Sequence, residues 1–222
     1  MQTNLLKQQF QLNKDITYLN FGAFGACPKP VFETYQAFQL EMEQEPVEFI
    51  TEKGPAYLKT SRTALANYLN CHADDVVYVT NPTYAANIIA KSFDIKEGDE
   101  VLTTNIEYGA CDRTWKYYCA QKGATYIRQQ IRFPLESKED FIEQFTKGIT
   151  SNTKLIFISH LTSSTGLRLP VEEICAIAKE RGIISFVDGA HAPGQLEVDL
   201  AKLNADIYTG ACHKWMMTPK GS

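Results

Sequence analysis

The chain has 222 residues, with 22 Lys plus Arg against 26 Asp plus Glu and a formal net charge of -4. With 44% apolar and 22% charged residues it matches an average globular composition, enough for one large domain that needs no disulfide framework or structural metal. The acidic balance argues against a nucleic-acid binder, and no run of about 18 apolar residues suits a membrane span. The opening MQTNLLKQQFQLNKD also lacks the hydrophobic segment of a signal peptide, so a cytoplasmic protein with neither nucleic-acid nor membrane partners is expected.

Residues 1–17 are polar with Leu5, Leu6, Phe10 and Leu12 interspersed, a pattern for a short amphipathic helix lying on the body of the protein or on a partner subunit. YLNFGAFGACPKP reads as an extended segment and a tight turn, because small residues and prolines crowd it. Helices are expected over 31–42 and 55–69, and a strand at VVYVT, 76–80, whose β-branched run is a strong strand signal. A regular alternation follows: helix 84–93, strand 100–104, helix 110–122, strand 124–128, helix 138–147, strand 154–159, helix 171–181, strand 183–187 and a last strand near 206–209. Short apolar strands alternating with helices of about ten residues predict crossover units and a mostly parallel sheet, hence an α/β fold. The six cysteines form no CxxC pair and no close Cys/His cluster, so free thiols are expected and no metal site is predicted.

In open α/β sheets ligands bind at the carboxyl ends of the strands. Polar and small residues gather there at 81–84, 105–108, 160–166, 188–191 and 210–214. Asp188 closes a buried strand, and such a carboxylate is a metal ligand, a helix cap or the partner of a cationic ring. His191 is either a polar filler or a site residue. Lys214 sits among Cys212, Trp215, Met216 and Met217, a poor setting for a solvated lysine; burial would make its neutral amine available as a nucleophile. Asn81-Pro82-Thr83-Tyr84 opens a helix, so its backbone N–H groups and the Thr83 hydroxyl suit a phosphate, although an ordinary cap by Asn81 or Thr83 fits the same residues. Neither GxGxxG nor a Walker loop is present, which argues against dinucleotide binding and nucleotide hydrolysis. A lysine nucleophile, an aspartate, a phosphate cradle and an aromatic, Tyr108, are together the parts that a pyridoxal phosphate enzyme needs.

From about Tyr18 to Ser222 the chain resembles the aminotransferase class V family of fold-type I pyridoxal phosphate enzymes, in its isopenicillin-N-epimerase-like and cysteine-desulfurase-like branch. The resemblance rests on YLNFGAFG (18–25), NPTYAAN (81–87), EYGA (107–110), SHLTSSTGLRLP (159–170), DGAHAPG (188–194) and YTGACHKW (208–215), in that order. It also rests on the 26-residue interval between Asp188 and Lys214. The resemblance implies a three-layer large domain with a mostly parallel sheet, an N-terminal arm over 1–20, a cofactor-binding domain over 21–222 and a homodimer. It further implies that the chain stops short of the family's small C-terminal domain, which carries the arginine clamping the substrate carboxylate.

By the same resemblance Lys214 carries the cofactor and shuttles the proton at Cα, Asp188 pairs with the pyridine nitrogen, and His191 hydrogen-bonds the ring oxygen. Tyr108 matches the aromatic stacked on the ring, Thr83 and Tyr84 the phosphate cradle, and His213 a residue fixing the phosphate end. Ser163 stands where desulfurases have an asparagine touching cofactor or substrate. Ala211 stands where they have a phosphate-binding serine, for which Thr209 is a substitute. Both departures point away from a housekeeping desulfurase. The implied function is a class V aminotransferase-like enzyme acting on an amino acid through an external aldimine with pyridoxal 5'-phosphate. The alternatives are an isopenicillin-N-epimerase-like epimerase, a cysteine or cystine C–S lyase, and, in another class, a non-catalytic relative that binds the cofactor.

Overall fold

The computed structural model describes residues 2–220, with side chains from residue 5 onward. Met1, in the expected arm, and Gly221 and Ser222, at the end of the family resemblance, lie outside the described residues. The chain divides into two compact units. One holds the described residues up to Tyr78, Glu197–Ala201 and the described residues from Cys212; the other holds Val79–Leu196 and Lys202–Ala211.

In the first unit the expected N-terminal helix is short, α1 (Gln2–Lys7), with Leu5 and Leu6 exposed. Pro28 precedes α2 (Lys29–Gln44), whose first turn uses Pro30 where the missing N–H is no loss. The short α3 (Pro46–Glu48) runs through a π-helical turn (Phe49–Lys53) into α4 (Gly54–Leu69). An aromatic group holds these helices: Tyr57 lies 4.9 Å from Phe38 and 6.0 Å from Phe49, and its hydroxyl donates to Glu41. Even so, α2 buries no residue; Val31, Tyr35 and Leu40 are exposed, and Phe38 is exposed apart from its contact with Tyr57. At the end of α4, Asn70 takes a left-handed conformation (φ 52°), as helix C-caps commonly do, and donates to Asp199 at 2.9 Å.

The expected strand at 76–80 does not form among the described residues. The segment joins no ladder, and Val77 is 75% exposed. A β-branched run expresses its strand preference only against a paired neighbour, and no described strand takes that place.

The second unit is built on a five-stranded sheet. Its helices and strands alternate: α5 (Pro82–Ser92), β1 (Glu100–Thr104), α6 (Gly109–Gln121), β2 (Thr125–Gln129), α7 (Lys138–Thr146), β3 (Thr153–Ser159), α8 (Val171–Glu180), β4 (Ile184–Gly189), the short α9 (Leu200–Leu203), whose last two residues alone belong to this unit, and β5 (Ile207–Gly210). The order is β2-β1-β3-β4-β5, every pair parallel, as the crossover pattern predicts. Leu155, Ile156, Phe157 and Ile158 of β3 are all fully buried, which explains why the strand reads as a continuous apolar run. Alternation sends Leu155 and Phe157 to one face, where Val101, Phe186 and the α5 and α6 residues Ala86, Ala90, Cys111, Trp115 and Cys119 complete one core. Trp115, Phe157 and Phe186 meet there at 5.1–6.2 Å between ring centroids. Ile156 and Ile158 point to the other face, where α8 packs on β3 and β4. Each such side chain contributes about 1.5–3 kcal/mol on burial, so the central strands are the most firmly held. Among the described residues no helix is long and apolar enough to cross a membrane.

Candidate active site

The parallel strands of the second unit end together, and their carboxyl ends carry most of the residues singled out above. Asp188 lies in β4, register-paired with Ser159 of β3 and Thr209 of β5. It is 4% exposed; its Oδ1 accepts the Ala190 N–H at 3.0 Å and the Thr209 hydroxyl at 3.3 Å, and its Oδ2 faces the Cys111 thiol at 3.8 Å. Thr209, considered above as a substitute phosphate donor, thus directs its hydroxyl to Asp188. Burial, with Asp188 and a second carboxylate nearby, pushes the Cys111 thiol far above its ordinary range, so it stays protonated. A Cβ on Gly189 would stand 2.2 Å from the Tyr208 ring, so any larger residue there requires that ring to shift.

His191 sits half-buried in the turn after β4, its carbonyl accepting from the Gln195 amide at 2.8 Å. Ser163 is exposed in the turn after β3. Tyr108 precedes the first residue of α6 and is 47% exposed, leaving its ring accessible. Asn81 caps α5 by accepting the Tyr84 N–H at 2.8 Å, so an anion there would have to share this N–H. Thr83 is half-buried, and its carbonyl accepts from the Asn87 amide at 2.8 Å.

Sequence reasoning overlooked Glu107, although it lies within the quoted EYGA. Its carboxylate joins two strand ends: Oε1 accepts the Thr104 hydroxyl at 2.6 Å, and Oε2 accepts a very short bond from Ser159. The residue as a whole is partly exposed, but burial of its carboxyl, reinforced by Asp188 and opposed by the two hydroxyls, pushes its pKa to about 7. The usable signal was a carboxylate just past a buried strand, beside an aromatic.

His213 and Lys214 belong to the first unit. The turn that carries them is irregular, with the Met217 N–H returning to the Lys214 carbonyl at 3.3 Å. It is backed by the 18–25 segment: the Gly25 N–H donates to the His213 carbonyl at 2.7 Å, Phe24 stacks on His213 at 5.6 Å, and Phe21 stacks on Trp215 at 6.2 Å. A Cβ on Gly25 would stand 1.8 Å from the Lys214 carbonyl oxygen, so only glycine allows this approach. His213 is buried, and burial together with the charges of Lys214 and Lys220 lowers its pKa, keeping the ring neutral. Lys214 is itself half-buried. Gly25 and Phe24 were quoted above only as part of a motif; their role in supporting the lysine turn became visible with the fold.

The description of the aminotransferase class-V family matches residues 17–222. The chain is 35% identical over 219 residues to isopenicillin N epimerase of Amycolatopsis lactamdurans, covering 97% of this chain and 54% of that protein. It is 30% identical to L-cysteine desulfhydrase of Arabidopsis thaliana, covering 92% of this chain and 48% of that one. Two solved structures of C-DES are also similar. A mutant with glycine covalently linked to the PLP cofactor has a TM-score of 0.87, at 26% identity over 97% of this chain and 57% of that one. The cystine C–S lyase C-DES with its product cysteine persulfide has a TM-score of 0.86, at 27% identity over 94% of this chain and 56% of that one. The chain thus spans about half the length of the curated relatives it matches.

Proposed function

Because the chain belongs to the aminotransferase class-V family, we propose that it binds pyridoxal 5'-phosphate and acts as a C–S lyase on a cysteine-type amino acid. The expectation of an aminotransferase gives way to its alternatives, because the relatives named above carry epimerase, desulfhydrase and lyase activities. A second reading, epimerisation, is favoured by the 35% identity to isopenicillin N epimerase.

The observation that carries the cofactor assignment is the buried Asp188, which shares its strand-end compartment with a second acid, Glu107. Two carboxyls in one poorly solvated place suit a cationic group, as a protonated pyridine ring is. Pyridoxal phosphate, when bound, supplies an aldehyde that links to amines and a ring that draws electrons from the substrate Cα. In this reading Lys214 holds the cofactor and moves the proton at Cα, while Asp188 keeps the ring nitrogen protonated. His191 orients the ring oxygen and Tyr108 covers the ring face. Thr83, Tyr84 and His213 hold the phosphate end, and Ser163 lies at the cofactor or substrate. We take residues 21–222 as the cofactor-binding domain behind an arm over 1–20. The outward apolar side chains of α2 support a homodimer.

The test is borohydride reduction of the cofactor-loaded protein with peptide mapping, followed by product analysis with L-cysteine and L-cystine. A reduced adduct on Lys214, with pyruvate and a sulfur product, supports the lyase. Inversion with solvent deuterium at Cα moves the assignment to an epimerase. An adduct elsewhere, or none, removes the catalytic role of Lys214 and favours a relative without turnover.

A further inference from the structure

The 18–25 segment meets the lysine turn through the peptide plane between Phe24 and Gly25, and that plane is held at both ends. Its N–H, on Gly25, donates to the His213 carbonyl at 2.7 Å. Its carbonyl, on Phe24, accepts the Tyr18 phenol at 2.5 Å. A peptide unit is rigid and planar, so fixing the direction of the carbonyl also fixes that of the opposed N–H. The Tyr18 hydroxyl lies 3.1 Å from the Asn20 carbonyl as well, but a phenol has one proton to donate and the shorter contact takes it. Residues 18–25 belong to no helix or strand, so no ladder of backbone bonds orients this peptide. Tyr18 reaches the lysine turn by a second route. Its ring lies 5.5 Å from that of Phe21, which stacks on Trp215 at 6.2 Å, while Phe24 stacks on His213 at 5.6 Å. His213 and Trp215 are the chain neighbours of Lys214 on either side. The half-buried Tyr18 therefore touches both groups that grip the turn: its hydroxyl holds the Phe24 carbonyl, and its ring backs Phe21.

We propose that Tyr18 is a positioning residue for Lys214, acting through the Phe24–Gly25 peptide. Phenol, peptide and His213 carbonyl form two hydrogen bonds in series, and bonds in series polarise one another. The Tyr18 proton on the Phe24 oxygen makes the Gly25 N–H a stronger donor to His213, and so holds the backbone one residue ahead of the lysine. The proposal rests on the reading of Lys214 as the residue that carries the cofactor.

The test compares Tyr18→Phe, which removes the hydroxyl and keeps the ring, with Tyr57→Phe, which removes a hydroxyl bonded to Glu41 in the same unit. The full chain is labelled with nitrogen-15 at glycine and carbonyl carbon-13 at histidine, and is first measured without cofactor. The wild type should show a scalar coupling across the Gly25–His213 hydrogen bond. Tyr18→Phe should weaken that coupling and speed hydrogen exchange of the Gly25 amide about two- to tenfold, as the loss of one hydrogen bond does. Exchange of the α4 amides should keep its wild-type rate, whereas a general loosening of the unit would speed both. Tyr57→Phe should leave Gly25 unchanged. With pyridoxal phosphate added, the rate at which borohydride traps an adduct on Lys214 should fall by a similar factor in Tyr18→Phe alone. Unchanged coupling and exchange at Gly25 in Tyr18→Phe, or equal changes in Tyr57→Phe, overturn the relay. A response at Gly25 with an unchanged trapping rate confines Tyr18 to its own loop and overturns its role at Lys214. If the wild type yields no adduct on Lys214, the cofactor reading falls, while the Gly25 measurements still decide whether Tyr18 holds the turn.

Discussion

The backbone N–H of Gly25 donates to the carbonyl of His213, one residue ahead of Lys214, at 2.7 Å. Two segments nearly 190 residues apart in sequence are thereby joined backbone to backbone. The approach leaves no room for a side chain, since a Cβ would meet the Lys214 carbonyl oxygen at 1.8 Å. Gly25→Ala should therefore displace the lysine turn and destabilise the protein by about 1–3 kcal/mol, the usual range for overpacking. It should also reduce borohydride incorporation at Lys214 at matched cofactor concentration. An unchanged urea midpoint together with unchanged incorporation would sink the idea that this contact holds the turn.

Asp188→Asn keeps the shape of the side chain and its neutral contacts but removes the charge. Loss of an electrostatic stabiliser in a poorly solvated site lowers turnover on the order of 10²–10³-fold. On the proposed lyase reading, the expected result is a fall of that size in kcat/KM for sulfide release from L-cysteine, with the fold retained by circular dichroism. Activity within a few-fold of wild type would remove Asp188 from the mechanism.

Glu107 predicts a pH dependence of stability with a definite sign. Its folded pKa is raised from 4.5 to about 7, so between those values the native state holds a proton that the unfolded state has lost. Its contribution is present in full below about pH 4.5 and is lost as pH rises through 7. At about 1.4 kcal/mol per unit, and after a discount for partial exposure, the change is on the order of 2–3 kcal/mol. His160 and His213 are lowered and act with the opposite sign, so the difference between wild type and Glu107→Gln isolates Glu107. Urea midpoints across pH 5 to 8 should decline relative to the variant as pH rises. Parallel curves would contradict the raised carboxyl.

Trp115 is buried between Phe157 and Phe186, and its indole N–H is buried with no hydrogen-bond partner among the described residues. Trp115→Ala should cost about 3–5 kcal/mol through cavity formation. Trp115→Phe loses volume but also removes an unsatisfied donor, so its expected cost is below about 1.5 kcal/mol. Equal losses for the two variants in urea unfolding would show that the N–H is satisfied in solution.

Most of the second unit was legible because each of its signals was local. β3 announced itself as a continuous apolar run, and the helix expected over 138–147 forms as α7 (Lys138–Thr146) behind Ser137, whose side chain accepts the Asp140 N–H. Asp188 was legible as a carboxylate closing such a run. The segment 76–80 misled because its composition carries a preference that only a pairing partner can realise. The partners of Glu107 and the role of Gly25 were illegible for a different reason. The partners of Glu107 on β3 and β4 are more than 50 residues away, and the close contact of Gly25 with Lys214 exists only once the chain has folded back. Composition and periodicity carry no record of such meetings.

The place of β3 at the centre of the sheet has a consequence for how the molecule breathes. A strand flanked by β1 and β4, with its apolar residues fully buried, exchanges its amide hydrogens only when the whole unit opens. Ser159 and Asp188 ride at the ends of this slowest-exchanging pair. Native-state hydrogen exchange should therefore find these two strand-end residues on scaffolding that yields last.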